Sequence, residues 1–141
     1  MTAAGLYLGF DYGARQIGVA VGQSATGSAR PLCILPAREG QPDWTQLAAL
    51  LQEWQPQALV VGLPLHMDGS EGESAARARK FAARLHGRFG YVVELHDERL
   101  SSREARENLQ QNDSAKKIAH DKIDALAAAL ILQSWLANQP G

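Results

Sequence analysis

The sequence predicts a single α/β domain built on a mixed β-sheet. Three strand-like segments follow one another in the N-terminal part, and helical segments then alternate with apolar strand-like ones. Sequential strands predict antiparallel pairing, whereas strands separated by helices predict parallel βαβ units. The 141 residues suffice for one hydrophobic core, and no linker or internal repeat divides them, so we expect one domain over residues 1–141.

The first two strand-like segments alternate apolar and polar residues, as half-buried strands do. The segment "LYLGF" leads into Asp11, and "QIGVAVG" places Ile17, Val19 and Val21 on one face. The short glycine-containing turn "YGAR" between them predicts an antiparallel hairpin. A third strand is predicted in "ARPLCILPA", which contains two prolines near its ends.

Helices and strands alternate in the rest of the chain. In "WTQLAALLQEW" the apolar residues recur at helical spacing between Asp43 and Pro56, which predicts where that helix starts and stops. The run "ALVVGL" is continuously apolar, as is typical of a strand buried on both faces of a parallel sheet. A further strand is predicted in "YVVELH". Further helices are predicted from about Ser74 to His86, from Ser101 to about Gln110, and from about Asp121 to Leu136.

The resulting order, βββαβαβαα, predicts a mixed five-stranded sheet with helices on both faces. The sheet is expected to be antiparallel at one side and parallel at the other, which is the order of the ribonuclease H-like fold. In such a sheet the first strand is central and parallel strands flank it. Strand ends and a helix packed across them then converge at one edge.

Three acidic residues occupy corresponding positions at that edge. Asp11 closes the first strand, Glu98 closes the last strand, and Asp124 lies near the start of the last helix. Asp121 precedes Asp124 by three residues on the same helix face. Convergent carboxylates repel one another unless a cation lies among them, and carboxylates with room for water and phosphate suit Mg²⁺ or Mn²⁺. The pattern permits metal-dependent cleavage of a phosphodiester bond, without a Ser, Cys or His nucleophile.

Each of the three acids also has a purely structural interpretation. Asp11 would be a turn residue that accepts hydrogen bonds from backbone amides. Glu98 would be a solvated surface acid, and Asp124 would complement the helix dipole. The site interpretation gains weight because all three acids fall at corresponding ends of their elements.

The basic residues are concentrated in one part of the chain. Eight of the 14 Lys and Arg residues lie between Arg77 and Arg106. One stripe of the predicted helix carries Arg77, Lys80, Arg84 and Arg88. A run of charge is usually a solvated helix face, but the uncompensated sign of this basic stripe favours contact with the phosphates of a nucleic acid.

Composition excludes several classes of protein. The single cysteine rules out an internal disulfide framework and a multi-cysteine zinc site. The longest apolar run is too short to span a bilayer, and the first residues lack the features of a signal peptide. We therefore expect a cytoplasmic protein without a membrane partner. The formal net charge of −1 does not by itself indicate a nucleic-acid-binding protein.

Five blocks of the sequence resemble, in order, those of one known family. They are "GFDYGARQIGVAVG", "VVGLPLHMDGSEG", "ARKFAARL", "HDERLSS" and "KIDALAAALILQSWL". On these blocks, which span nearly the whole chain, the sequence is similar to the YqgF family, also called RuvX. The resemblance implies a ribonuclease H-like fold related to the Holliday-junction resolvase RuvC. It further implies a nuclease that processes the 5′ end of precursor 16S ribosomal RNA.

The resemblance also implies roles for particular residues. It assigns the family's acidic positions to Asp11, Glu98 and Asp124 as ligands of a catalytic Mg²⁺ or Mn²⁺, with Asp121 as a further candidate. It implies a cytoplasmic protein linked to ribosome biogenesis, with precursor ribosomal RNA and the small ribosomal subunit as partners. Beyond the basic stripe, the predicted nucleic-acid contacts are Arg99, Lys116, Lys117 and Lys122.

Three functions are open at this point. The first is a metal-dependent endonuclease that cleaves RNA. The second is a resolvase of branched DNA, which would work as a homodimer because two symmetric cuts need two sites. The third is a non-catalytic module that binds nucleic acid or the ribosome. Monomer and homodimer both stay open, as do RNA and DNA, since backbone contacts distinguish the two polymers mainly through the 2′-hydroxyl.

Overall fold

The computed structural model describes residues 5–100 and 113–139, and side chains within 5–99 and 125–139. The elements are β1 (Leu6–Asp11), β2 (Gln16–Gln23), β3 (Ser28–Arg38), β4 (Gln41–Pro42), α1 (Trp44–Trp54), β5 (Ala58–Leu63), α2 (Glu73–Phe89), β6 (Val93–Asp97), a 3₁₀ turn (Glu98–Leu100) and α3 (Asp113–Ala137). The helix predicted from Ser101 to Gln110 lies outside the described residues.

Within the described part of the chain, six strands form one mixed sheet in the order β4-β3-β2-β1-β5-β6. Strands β1 to β4 pair antiparallel in sequence, while β5 pairs parallel with both β1 and β6. The predicted mixed sheet with a central first strand is confirmed. Strand β4 is additional to the five predicted strands, because a pair of residues is too short to display the alternating pattern of a strand.

Each face of the sheet is covered by helices, as predicted. One face packs against α1 and α2 in a core that includes Leu8, Phe10 and Phe81. The opposite face packs against α3 in a second core that includes Val60 and Leu132. All six residues of β5 are buried, which confirms the prediction of a strand covered on both faces.

Local sequence signals set the ends of α1 and α2. The Asp43 carboxylate accepts hydrogen bonds from the amides of Thr45 (3.0 Å) and Gln46 (3.3 Å), so it caps the start of α1. The helix ends where Gln55 adopts a left-handed conformation, with φ of 47°. Helix α2 continues to Phe89 and ends at Gly90, with φ of 76°, three residues beyond the predicted end.

Helix α3 is longer than predicted and begins at Asp113 rather than near Asp121. The prediction that Asp124 lies near the start of this helix is therefore wrong. Charged residues interrupt the apolar spacing in its first turns, so the sequence pattern did not indicate a helix there. These turns nevertheless contain no glycine or proline that would stop a helix. No helix in the described residues, α3 included, is long and apolar enough to cross a membrane.

A close approach between α3 and the central strand fixes the position of this helix. A Cβ added at Gly9 would lie 2.8 Å from Leu132 Cβ and 3.2 Å from the Ala128 carbonyl oxygen. The rings of Tyr7 and Trp135 lie 5.1 Å apart. Because Ala128 and Leu132 lie over Gly9 while Trp135 lies over Tyr7, α3 runs antiparallel to β1.

We expect substitution of Gly9 by alanine to destabilise the protein, because the new methyl group would push α3 off the sheet. The expected loss in the free energy of unfolding is about 1–3 kcal/mol, measured by urea denaturation. Gly87→Ala is the matched control, since a Cβ at Gly87 in α2 meets nothing within 4 Å. That control is expected to raise the free energy of unfolding by up to about 1 kcal/mol. A Gly9→Ala variant as stable as the wild type would contradict the close packing.

Candidate active site

The carboxyl ends of three parallel strands meet at one edge of the sheet. Strands β1, β5 and β6 run in the same direction and end at Asp11, Leu63 and Asp97. We call this the carboxyl edge. Binding sites of α/β sheets commonly form outside the carboxyl ends of such strands.

Asp11 belongs to the face of the sheet that α3 covers. Its neighbours Leu8 and Phe10 are buried in the core against α1 and α2. Because successive side chains of a strand point to opposite faces, Asp11 lies on the same face as Gly9, which is the α3 face. The register pairs Phe10 with Val61, so the next position places Asp11 beside Gly62 of β5.

Glu98 lies against the same glycine. A Cβ added at Gly62 would lie 2.9 Å from Glu98 Oε1, 3.0 Å from Glu98 Cγ and 2.5 Å from Ile131 Cδ1 of α3. The Glu98 side chain therefore packs on the backbone of β5, on the α3 face. Glu98 is the first residue of the 3₁₀ turn, so it follows the last strand rather than closing it as predicted. Gly62 thus lies between Asp11 and Glu98, which share one face of the carboxyl edge.

The helix position of Asp124 falls near this pair. Residues 124, 128 and 131 share a helix face, and Ala128 and Ile131 are the residues that lie over Gly9 and Gly62. Since α3 runs antiparallel to β1, position 124 is one turn closer to the carboxyl edge than Ala128. The side chains of Asp121 and Asp124 lie outside the described ones. Among the side chains described, no three His, Cys, Asp or Glu residues form a metal-binding group.

His96 connects the last strand to α3 beneath the acid pair. It is buried, with 7% of its surface exposed, and its Nε2 lies 2.9 Å from Ser134 Oγ. Burial lowers the pKa of His96, although the nearby Asp97 carboxylate opposes this shift. Because its Nε2 is engaged with Ser134 of α3, we interpret His96 as a structural residue that joins β6 to this helix.

Arg99, predicted to contact nucleic acid, is held by the protein itself. Its guanidinium contacts the Asp97 carboxylate, with Nη2 at 2.8 Å from Oδ2, and Nη1 donates to the Met67 carbonyl at 3.1 Å. Hydrogen bonds from Arg99 lower the pKa of Asp97 below its usual value. The ion pair therefore connects the end of β6 to the loop that follows β5. This loop is also closed by the His66 amide donating to the Ser70 carbonyl.

The basic stripe lies on the opposite face of the sheet from the acids. Tyr12, directly after Asp11, turns towards α2, where its ring lies 4.9 Å from the Phe81 ring. A cleft of about 380 Å³ opens beside it, which we call the α2 cleft. Its lining residues are Tyr12, Ala14, Glu39, Gly40, Gln41, Arg77, Lys80 and Arg84.

The four basic residues predicted to act together as one stripe have different partners in the structure. Arg77 pairs with Glu73 at 2.6 Å, and the Arg88 guanidinium lies 4.2 Å from the centre of the Trp44 ring. The positive charge of Arg77 is therefore compensated by Glu73, whereas the sequence predicted that the charge of the whole stripe is uncompensated. Within the described residues, Lys80 and Arg84 form no ion pair. The side chains of the other predicted basic contacts, Lys116, Lys117 and Lys122, lie outside the described ones.

Gly62 was not predicted as a site residue, although the sequence carried a signal. A glycine inside a continuously apolar strand commonly marks a close approach of another group to the backbone. In the structure that group is the Glu98 side chain, together with Ile131. The ion pair of Arg99 with Asp97 had no comparable signal, because both residues fit a solvated mixed-charge segment equally well.

Solved structures share this fold. Thermus thermophilus RuvC in complex with a Holliday junction substrate aligns with a TM-score of 0.54 and 14% identity, over 92% of both chains. The Fowlpox virus resolvase in complex with Holliday junction DNA aligns with a TM-score of 0.58 and 14% identity, over 94% of this chain and 97% of that one. The chain therefore has the ribonuclease H-like fold of the resolvases, which confirms the predicted fold class.

Sequence comparison then identifies the family. The family model RuvX, described as Holliday junction resolvase, matches residues 5–138. A protein of Azotobacter vinelandii is 54% identical over 140 residues, covering 99% of both chains. One of Pseudomonas paraeruginosa is 55% identical over 135 residues, covering 96% of this chain and 94% of that one. Both relatives bear the name "Putative pre-16S rRNA nuclease". The chain belongs to the RuvX family, as its sequence blocks predicted.

We expect Arg99→Ala to loosen the loop after β5, since the Met67 carbonyl loses its donor and Asp97 loses its ion-pair partner and keeps only the hydrogen bond from the Arg99 backbone amide. The expected result is severalfold faster amide hydrogen exchange at residues 66–70, because opening of the loop then breaks fewer hydrogen bonds. Arg88→Ala is the control, because Arg88 stacks on Trp44 in a different part of the molecule. Unchanged exchange in Arg99→Ala would show that this ion pair does not hold the loop.

Proposed function

We propose that the chain is a metal-dependent nuclease that hydrolyses phosphodiester bonds in precursor 16S ribosomal RNA during ribosome biogenesis. The observation that carries the proposal is the pairing of Asp11 and Glu98 on one face of the carboxyl edge, with Gly62 between them. Membership of the RuvX family supports the nuclease class, and the name shared by the relatives supports the RNA substrate. We also propose that the protein is cytoplasmic.

The donor set at the edge fits a hard divalent cation. Mg²⁺ is commonly bound through one or two carboxylates together with water and substrate phosphate oxygens. Asp11 and Glu98 supply two carboxylates, and His96 is engaged with Ser134. We assign Asp124 as the third ligand, from its place on the inner face of α3, and keep Asp121 as a candidate. When bound, Mg²⁺ or Mn²⁺ stabilises the charge that develops on the phosphoryl oxygens during in-line displacement.

In this mechanism the acidic residues would hold the metal ion and thereby orient the substrate. No residue of the chain forms a covalent intermediate. Asp11 is held by the central strand of the sheet, which pairs on both sides. Glu98 is held against β5 because Gly62 leaves room for it. Both acids therefore stand on a fixed backbone, and fixed positions are what rate enhancement by orientation requires.

Asp11→Asn is expected to lower the cleavage rate by at least roughly 100-fold, because it removes one carboxylate ligand of the metal and several kcal/mol of charge stabilisation. The change keeps the size of the side chain, so the thermal melting curve is expected to persist. Glu94→Gln is the matched control, an exposed acid on β6 away from the pair. Cleavage by Asp11→Asn at the wild-type rate would contradict the assigned site.

Removal of divalent ions is expected to abolish cleavage, and added Mg²⁺ or Mn²⁺ is expected to restore it. The measurement is the rate of cleavage of precursor 16S ribosomal RNA in EDTA, followed by titration with each ion. The wild-type and Glu94→Gln proteins are compared side by side. Full activity in EDTA would contradict metal dependence and would leave the nuclease class in place.

A resolvase acting on branched DNA is the second candidate. Two observations favour it: the family description names a Holliday junction resolvase, and both solved relatives in fold are bound to junction DNA. The deciding experiment compares precursor 16S ribosomal RNA, single-stranded RNA, single-stranded DNA and a four-way junction as substrates. Our proposal predicts preferred cleavage of the precursor RNA. Preferred symmetric cleavage of the junction by a homodimer supports the resolvase, and binding without cleavage of any substrate supports a non-catalytic module.

A further inference from the structure

We propose that the α2 cleft is a second binding site for the substrate, which holds a backbone phosphate on the face of the sheet opposite to Asp11 and Glu98. An RNA strand would then cross the carboxyl edge, with the scissile phosphate on the α3 face and a flanking phosphate on the α2 face. The inference rests on the proposed function and adds the path that the substrate takes.

Two consecutive residues connect the acid pair to the cleft. Asp11 belongs to the α3 face, and Tyr12 turns to the α2 face, where it forms part of the cleft wall. The cleft therefore begins one residue beyond the proposed metal ligand. A flexible single strand that reaches the acids passes the mouth of the cleft at the same edge.

The walls of the cleft are held in place before any ligand binds. The Tyr12 hydroxyl donates a hydrogen bond to the Gly40 carbonyl at 2.8 Å, and the Gly40 amide donates to the Ala14 carbonyl at 3.0 Å. Glu39 and Gly40 both have positive φ, 52° and 79°, as a tight turn requires. A Cβ at Gly40 would collide with the Tyr12 hydroxyl. The turn at Gly40 is thus held against Tyr12 by this hydrogen bond, and the cleft is preorganised.

The charges of the cleft suit a phosphate on the wall formed by α2. Arg77, Lys80 and Arg84 are one helical turn apart on this wall. Glu73 compensates Arg77, so Lys80 and Arg84 are the cations that can engage a ligand. Arg84 offers a planar fork and Lys80 a mobile point charge, and both are suited to phosphate. The single acid in the lining, Glu39, lies in the turn across the cleft and disfavours anions on that side.

The test is RNA binding by a Lys80→Gln/Arg84→Gln double variant, which keeps the aliphatic stems of both side chains. Binding is measured with Asp11 unchanged and with Ca²⁺ in place of Mg²⁺, so that the acid pair can still hold its phosphate through a divalent ion while cleavage is suppressed. We expect weaker binding, and a salt dependence of log K that is shallower by roughly 0.7, because one phosphate contact of a single strand is lost. Arg79→Gln is the control for loss of a positive charge from the same helix, since Arg79 lies outside the cleft and is paired with Glu71 at 2.6 Å.

Substrate length separates a second site from a general effect of charge. On an RNA too short to cross the edge, the difference between the double variant and its parent is expected to disappear. Glu39→Gln is expected to strengthen binding of the longer RNA. Wild-type affinity and salt dependence in the double variant would overturn the proposal, as would an equal loss on short and long RNA or the same loss in Arg79→Gln.

Failure of this proposal is distinguishable from failure of the proposed function. If wild-type protein cleaves precursor RNA while the double variant binds as its parent does, the nuclease stands and the cleft has no role in binding. If the double variant loses binding in the length-dependent manner while no substrate is cleaved by the wild type, the cleft stands and the nuclease is wrong.

Discussion

The close packing of α3 against glycines of the sheet is the constraint on which the site depends. Gly9, Gly22 and Gly62 lie on neighbouring strands, and a Cβ at any of them would lie within 3.0 Å of a side chain of α3. Because these three glycines carry no side chain, the helix lies directly on the backbone of the sheet. Gly62 serves a second purpose, because Glu98 occupies the space beside Ile131. One packing arrangement thus fixes the helix and one of the two acids together.

The carboxyl edge separates charges of opposite sign onto opposite faces of the sheet. Acids on the α3 face suit a cation, and bases on the α2 face suit phosphate, yet Asp11 and Tyr12 are adjacent in sequence. If the same side chains were mixed on one face, they would neutralise one another as Arg77 and Glu73 do. The alternation of side chains at the end of the central strand is what keeps them apart. A phosphate polymer that crosses this edge would therefore meet the proposed metal site on one face and the basic α2 cleft on the other.

Much of this arrangement was predictable from local sequence pattern. The hairpin of β1 and β2, the capped helix α1 and the buried strand β5 each carry a periodic or capping signal, and Asp11 stands at the predicted strand end. The start of α3 was missed because charged residues interrupt its apolar period. The contacts at Gly62 and the partners of Arg99 arise from tertiary packing between distant segments, which no local pattern encodes. The roles of Asp11, Glu98 and Asp124 as metal ligands stay predictions.

Location of a bound Mn²⁺ ion tests the central claim most directly. Crystals grown with Mn²⁺ and measured near the manganese absorption edge reveal the ion by its anomalous signal. The account predicts a peak at the carboxyl edge on the α3 face, within about 2–2.5 Å of carboxylate oxygens of both Asp11 and Glu98, and its loss in Asp11→Asn. An ion bound elsewhere, or one that persists in that variant with Asp11 uninvolved, would contradict the account.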